Sequence, residues 1–215
     1  EVTDFWDKLL KEYDEILYIP MSSGLSGSCQ TAIMLADDYD GKVQVVNNQR
    51  ISVTQEQSAL DARDLAAKGY EAAQIKEILE RTKYESSIYI TLTTLKYLKK
   101  GGRIGKVTAM AGTMLQIKPI ITFAPDGQLQ SVAKVRGRHQ VMRKLVDMAV
   151  DRCGEHKRYN LAVAHGGAPE EMKTVRQMLT EALPNSDHLW DGEIDGTLSV
   201  YIGDGVLGAA VQVLD

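Results

Sequence analysis

Two short apolar runs constrain this chain most. Glu15–Pro20 reads EILYIP and Lys42–Asn47 reads KVQVVN. Each is too short for a buried helix and is rich in β-branched or aromatic side chains, so each reads as a buried parallel strand. The stretch between them is helical from Ser26 to about Asp38. Helical spacing returns in Thr54–Lys68, with Leu60, Leu65 and Ala66 available for its inner face, and in Ala72–Lys83, with Ile75, Ile78 and Leu79 inside. Gly69 fits a helix stop between them. Ahead of the first strand, Phe5, Trp6, Leu9, Leu10 and Tyr13 also follow helical spacing. Strands alternating with helices over short links imply a parallel sheet flanked by helices.

The second part has a different rhythm. Ser87–Leu92 reads as a strand, Leu95–Lys99 as a short helix and Thr108–Leu115 as a helix of small residues. Lys118–Phe123 and Gln128–Val135 flank Pro125-Asp126-Gly127. Proline presets φ there and glycine permits a positive one, which predicts a β-hairpin. Arg138–Arg152 is amphipathic on Val141, Leu145, Met148 and Ala149. Asn160–Ala164 reads as a strand, Pro169–Leu183 as a helix opened by proline, Leu189–Ile194 and Leu198–Ile202 as strands, and Gly205–Val213 as a short apolar helix. The expected fold class is therefore α/β with two domains. Residues 1–85 form an N-terminal parallel α/β domain, and residues 86–215 a C-terminal α/β domain with a mixed or antiparallel sheet. The boundary lies near Tyr84–Ser87.

Composition excludes several functions. A net charge of −4 gives no general attraction to nucleic acid or to anionic membranes. No apolar run reaches the ~18–20 residues of a membrane span, and Glu1–Asp14 is too charged for a signal peptide. Cys29 and Cys153 sit in no metal-binding spacing and read as reduced thiols of a cytoplasmic protein. The helical pattern begins abruptly at a residue other than methionine, so the N-terminal domain is expected to lack its first part.

One motif carries chemistry. Leu17–Gly27 reads LYIPMSSGLSG, a strand end, two serines and the approach to a helix. Such a turn stands at the C-terminal edge of a parallel strand, where open α/β sheets bind ligands. The helix N-terminus offers unpaired N–H groups and partial positive charge. Gly24 and Gly27 allow close backbone approach, and Ser22 and Ser23 add hydroxyl donors. The combination suits a phosphate or a carboxylate. The plainer reading makes Ser26 an N-cap and the glycines mere turn formers. No Gly-Lys-Ser/Thr follows, so this is not a nucleotide P-loop. The glycine spacing of a nucleophile elbow is missing as well. His165, at a strand end before Gly166-Gly167, either sits near a ligand or shapes a turn.

Several segments together are more specific. LYIPMSSGLSGSCQTA, YLKKGGRIG, IKPIITF, KVRGR, VAHGGAPEE and YIGDGVLGAA occur in the order seen in the DegV family, which the chain resembles from Glu15 to at least Leu207. That resemblance implies a fatty-acid-binding protein without catalytic residues, metal or cofactor. Its ligand is a long-chain fatty acid such as palmitate. The acyl chain lies in an apolar tunnel, and the carboxylate sits at the domain crevice on the Ser/Gly turn, held by Ser22, Ser23 and Gly24. A Thr or Ser from a segment ahead of Glu1 belongs to the same set. The family pattern His-x-Gly-Pro-Gly is Tyr201-Ile202-Gly203-Asp204-Gly205 in this chain. Tyr201 can donate a hydrogen bond to a carboxylate but carries no positive charge at neutral pH, which implies a weaker grip or a different ligand. Asp204 would oppose an anion unless it faces solvent.

The resemblance also implies a partner, the ATP-binding subunit of a fatty acid kinase. Lys99–Arg103 and Lys134–Arg138 are two basic clusters in an acidic chain. Arg103 and Arg136 are the docking candidates, because guanidinium forks suit phosphate and carboxylate; the plainer reading is a solvated face. Residues Thr108–Leu115 and Ile117–Ile121 are the candidate pocket lining. Two alternatives stay open. One is a phosphotransfer enzyme related to dihydroxyacetone kinase, which needs a histidine such as His165. The other is a binder of another anionic lipid, motivated by Tyr201.

Overall fold

A computed structural model of the chain describes residues 1–110 and 117–215. The chain divides into two compact units, Glu1–Tyr84 and Glu85–Asp215.

Unit 1 is built on two parallel strands, β1 (Ile16–Tyr18) and β2 (Val43–Val45). Helices α1 (Val2–Leu9) and α2 (Ser28–Ala36) contribute to one core cluster with Ile16, Val43 and Val45. Its centre is Trp6, fully buried and met edge-on by Tyr18 at 5.5 Å and Tyr39 at 5.4 Å. Helices α3 (Val53–Ala67) and α4 (Ala72–Arg81) join a second cluster through Ala62, Ile75 and Leu79, with Val46 and the half-buried Leu17 and Ile19. Successive strand side chains point to opposite faces, so one strand feeds both clusters.

Two expectations for this unit fail. Phe5 and Tyr13 are exposed. The first helix ends at Leu9, before it can carry Tyr13 onto the core face. The inner face of α3 is polar as well. Leu60 and Leu65 are only half-buried and Ala66 is exposed, while Thr54, Gln57 and Ser58 are buried. The reason lies in the loop after β2, which turns Asn48 and Arg50 inward. Asn48 donates to Ser58 Oγ at 2.8 Å and Arg50 Nη1 to the same oxygen at 3.1 Å. Buried polar groups need partners, and α3 supplies them.

Among the described residues, unit 2 holds one mixed sheet of six strands in the order β5-β4-β3-β8-β6-β7. The strands are β3 (Ser86–Thr91), β4 (Ile117–Phe123), β5 (Leu129–Arg136), β6 (Tyr159–Gly166), β7 (His188–Glu193) and β8 (Val206–Val213). Among the described residues of this sheet, β6 and β7 pair in parallel and the other neighbours pair antiparallel. The hairpin β4–β5 turns at Pro125–Gly127, where Gly127 takes φ +76° and its N–H donates to Ala124 O at 2.8 Å. Helices α6 (Arg138–Cys153) and α7 (Pro169–Ala182) pack on one sheet face through Leu145, Val175 and Leu179 against Leu161, Val163 and Leu207. Helices α5 (Lys96–Lys100) and α8 (Gly196–Ile202) lie together beyond the strand ends.

The C-terminal assignments are reversed from expectation. Residues 198–202 lie in a helix and residues 206–213 in a central strand. Asp195 starts α8 by accepting the Leu198 N–H at 3.1 Å, and Gly203, at φ +78°, stops it. β8 lies between β3 and β6 with both faces covered, so it shows no apolar–polar alternation. Its near-continuous apolar run is what reads as helical. The expected helix Thr108–Leu115 begins as part of a 3-10 segment, Gly105–Met110; residues 111–115 lie outside the described residues.

Candidate functional site

In unit 1 the Ser/Gly turn leaves the end of β1 and folds over itself. The Ser22 carbonyl accepts the N–H groups of Leu25 at 3.0 Å and Ser26 at 3.2 Å. Ser22 Oγ accepts the Gly24 N–H at 3.3 Å, the usual way a serine shapes its own turn. Ser22 is fully buried, whereas Ser23 and Gly24 are half-buried. Ser26 Oγ accepts the Ser28 N–H at 3.2 Å at the start of α2, although Gly27 holds the N-cap position. The turn is thus internally braced, and Ser23 is its more accessible hydroxyl.

The loop after β2 belongs to this edge too, and sequence reasoning missed it. The Ser22 N–H donates to the Arg50 carbonyl at 2.9 Å, joining the turns that follow the two parallel strands. Arg50 is 3% exposed and turns its guanidinium to Ser58 Oγ, to Thr82 O at 3.3 Å and towards the Asp61 carboxylate at 3.8 Å. A buried charge so compensated is structural support. Two non-glycine residues there, Gln49 and Ser52, take positive φ of 59° and 53°. The polar run Asn47–Arg50 after an apolar strand was the available signal. It does not separate a solvated loop from a buried network.

In unit 2 the basic Gly-rich turn and α8 build one constellation. α5 ends in a Schellman motif: Arg103 N–H donates to Leu98 O at 2.9 Å and Gly102 N–H to Lys99 O at 3.2 Å, with Gly102 at φ +70°. Gly101 is needed for another reason, since a Cβ there would overlap the Tyr201 ring. A Cβ on Gly203 would likewise strike the Tyr97 ring. Each tyrosine therefore packs on a glycine of the other element. The Arg103 guanidinium closes the arrangement 5.0 Å from the Tyr201 ring centre, with Nη1 donating to Gly101 O at 2.8 Å. Tyr201, expected at a ligand, and Arg103, expected at a partner surface, are direct neighbours.

Arg136 is exposed at the end of β5, opposite Ile117. Asp204 is exposed and its side chain lies against Gly167, while its carbonyl accepts from Thr93 Oγ1 at 2.7 Å. His165 shapes the β6–α7 turn: Nδ1 accepts the Ala168 N–H at 3.3 Å. Of the expected pocket lining, Ile120 and Ile121 are fully buried, Ile120 in the core under α6 and α7, and Ile117 is half-buried. Burial pushes the Cys29 thiol up and the Cys153 thiol up to about 11, so neither is a ready nucleophile. Among the described residues, no cluster of His, Cys, Asp and Glu could hold a metal, and no helix is long and apolar enough to cross a membrane.

Comparison with known proteins bears on this architecture. A family profile described as "Uncharacterised protein, DegV family" matches residues 1–213. A DegV domain-containing protein of Clostridium perfringens is 31% identical over 208 residues, covering 96% of this chain and 73% of that protein. A structure from Thermus thermophilus, described as fatty acid binding of a DegV family protein, superposes with a TM-score of 0.92 at 25% identity, covering 98% of this chain and 75% of that one. A DegV family structure from Ruminococcus gnavus, described with vaccenic acid, gives a TM-score of 0.80 at 25% identity over 92% of this chain and 72% of that one. The α/β class expected from the sequence is the one observed, and the chain belongs to the DegV family.

Proposed function

We propose that the chain binds a long-chain fatty acid and has no catalytic activity of its own. The observation that carries this reading is the likeness to the Thermus structure, a fatty-acid-binding protein by its description. The turn chemistry agrees with it. Ser23 and the backbone N–H groups near the start of α2 are donors suited to a carboxylate, with Ser22 and Gly24 bracing them. Tyr201, at the position of the family's histidine, offers a neutral hydroxyl donor suited to the same head group. A palmitate-length tail would gain on the order of 10 kcal/mol gross on burial, at ~0.8 kcal/mol per methylene, less the cost of ordering. The tail would then dominate affinity, and the hydroxyls would fix polarity and reject uncharged lipids.

The partner in this reading is the ATP-binding subunit of a fatty acid kinase, in the cytoplasm. Exposed Arg103 and Arg136 are its docking residues. The second reading, another anionic lipid, rests on the family resemblance, in which Tyr201 stands where the pattern has a histidine. The test is displacement of a fluorescent fatty acid by palmitate. Palmitate should compete, and Ser22→Ala with Ser23→Ala should weaken it about tenfold, the loss of one or two charge-assisted hydrogen bonds. Unchanged palmitate affinity in the double variant would make the turn purely structural. Competition by a lysophospholipid but not by palmitate would favour the second reading.

A further inference from the structure

We infer that Arg103 is a positioning residue for Tyr201, and that through it the chain distinguishes a carboxylic acid from an uncharged lipid. The inference rests on the head-group role proposed for Tyr201. A phenol hydroxyl is a neutral donor, so a tyrosine in place of a histidine gives up a positive charge. The structure holds a permanent cation against that phenol. The Arg103 guanidinium lies 5.0 Å from the Tyr201 ring centre, a cation–π distance. Its placement is built in at three points: the Arg103 N–H on Leu98 O, Nη1 on Gly101 O, and the ring itself.

Tyr201 depends on this support. α8 is short, none of its residues is buried, and Val200 beside Tyr201 is 67% exposed. The helix has little core packing to fix the ring. The turn after α5 supports it: the Gly101 backbone lies against the ring, where no Cβ fits, and Arg103 lies over it. A cation on the ring face draws electron density from the phenol and strengthens its O–H as a donor. A stronger phenol donor gains more from a charged carboxylate acceptor than from an alcohol.

The experiment measures displacement of a fluorescent fatty acid by palmitate and by hexadecanol, in the wild type, Arg103→Ala, Arg103→Lys, Tyr201→Phe and the double variant Arg103→Ala with Tyr201→Phe. The Tyr201 ring resonances of the ligand-free protein, assigned by their loss in Tyr201→Phe, report the contact independently. Arg103→Ala should shift those resonances and lower the preference for acid over alcohol about two- to fivefold, the size of an exposed cation–π contact. Arg103→Lys should recover part of that preference. In the Tyr201→Phe background, Arg103→Ala should leave the preference unchanged. An unchanged preference in Arg103→Ala alone overturns the inference. So does an equal loss in both backgrounds, which would mean that Arg103 meets the carboxylate directly. Failure of both palmitate and hexadecanol to compete in the wild type overturns the fatty-acid reading and this inference with it, even where the resonances confirm the contact.

Discussion

The guanidinium of Arg103 covers the ring of Tyr201 at 5.0 Å, although the two residues lie far apart in sequence. The contact joins two motifs that the sequence presents as separate, a basic glycine turn and the segment before the last strand. It also assigns the adjacent glycines different work. Gly101 makes room for a ring, and Gly102 supplies the left-handed residue that ends α5.

That division gives a first prediction. Gly102→Ala forces a Cβ into a positive-φ position and should cost about 1 kcal/mol of stability. Gly101→Ala keeps an ordinary φ but drives the Tyr201 ring off its seat, at about 1–3 kcal/mol for overpacking. Thermal unfolding should register both. Only Gly101→Ala should also move the Tyr201 ring resonances, and equal ring shifts in the two variants would contradict the assignment.

The buried polar face of α3 gives a second. Ser58 Oγ accepts from Asn48 and Arg50 and donates to Thr54 O at 3.0 Å. Ser58→Ala leaves those donors without this acceptor and should destabilise by about 1–3 kcal/mol, read by denaturant unfolding. A loss below about 0.5 kcal/mol, typical of a surface substitution, would mean that the network is not structural.

A third concerns pH. Asp126 is held below the ordinary aspartate value, first by the hydrogen bond from Lys106 Nζ at 2.7 Å and then by the Gln128 N–H. A depressed folded-state value contributes stability that is fully present above the unfolded value of about 3.9 and is lost as pH falls through the folded one. In a carboxyl titration followed by NMR, Lys106→Met should raise the Asp126 midpoint towards the ordinary value. A midpoint that stays depressed would assign the shift to the backbone instead.

A fourth concerns the tail. If methylene burial dominates affinity, laurate should bind at least tenfold more weakly than palmitate, given ~0.8 kcal/mol gross per methylene. Equal affinity for the two acids would place the binding energy in the head group.

Much of the fold was legible because it rests on local pattern. EILYIP and KVQVVN gave the parallel pair, and Pro125-Asp126-Gly127 gave the hairpin. Long-range partners overrode local pattern elsewhere. The polar face of α3 follows from Asn48 and Arg50, which no spacing within α3 announces. β8 looks helical until β3 and β6 are known to flank it. In the candidate site, the Ser/Gly turn was visible from residue types alone. The neighbourhood of Tyr201 was not, because a cation over a ring leaves no periodic trace in sequence.

The most direct measurement is mass spectrometry of the organic extract from natively purified protein. The expected result is a long-chain fatty acid in near-stoichiometric amount, reduced in the variant carrying both Ser22→Ala and Ser23→Ala. An extract without fatty acid, from protein that also fails to take up added palmitate, would contradict the proposed function.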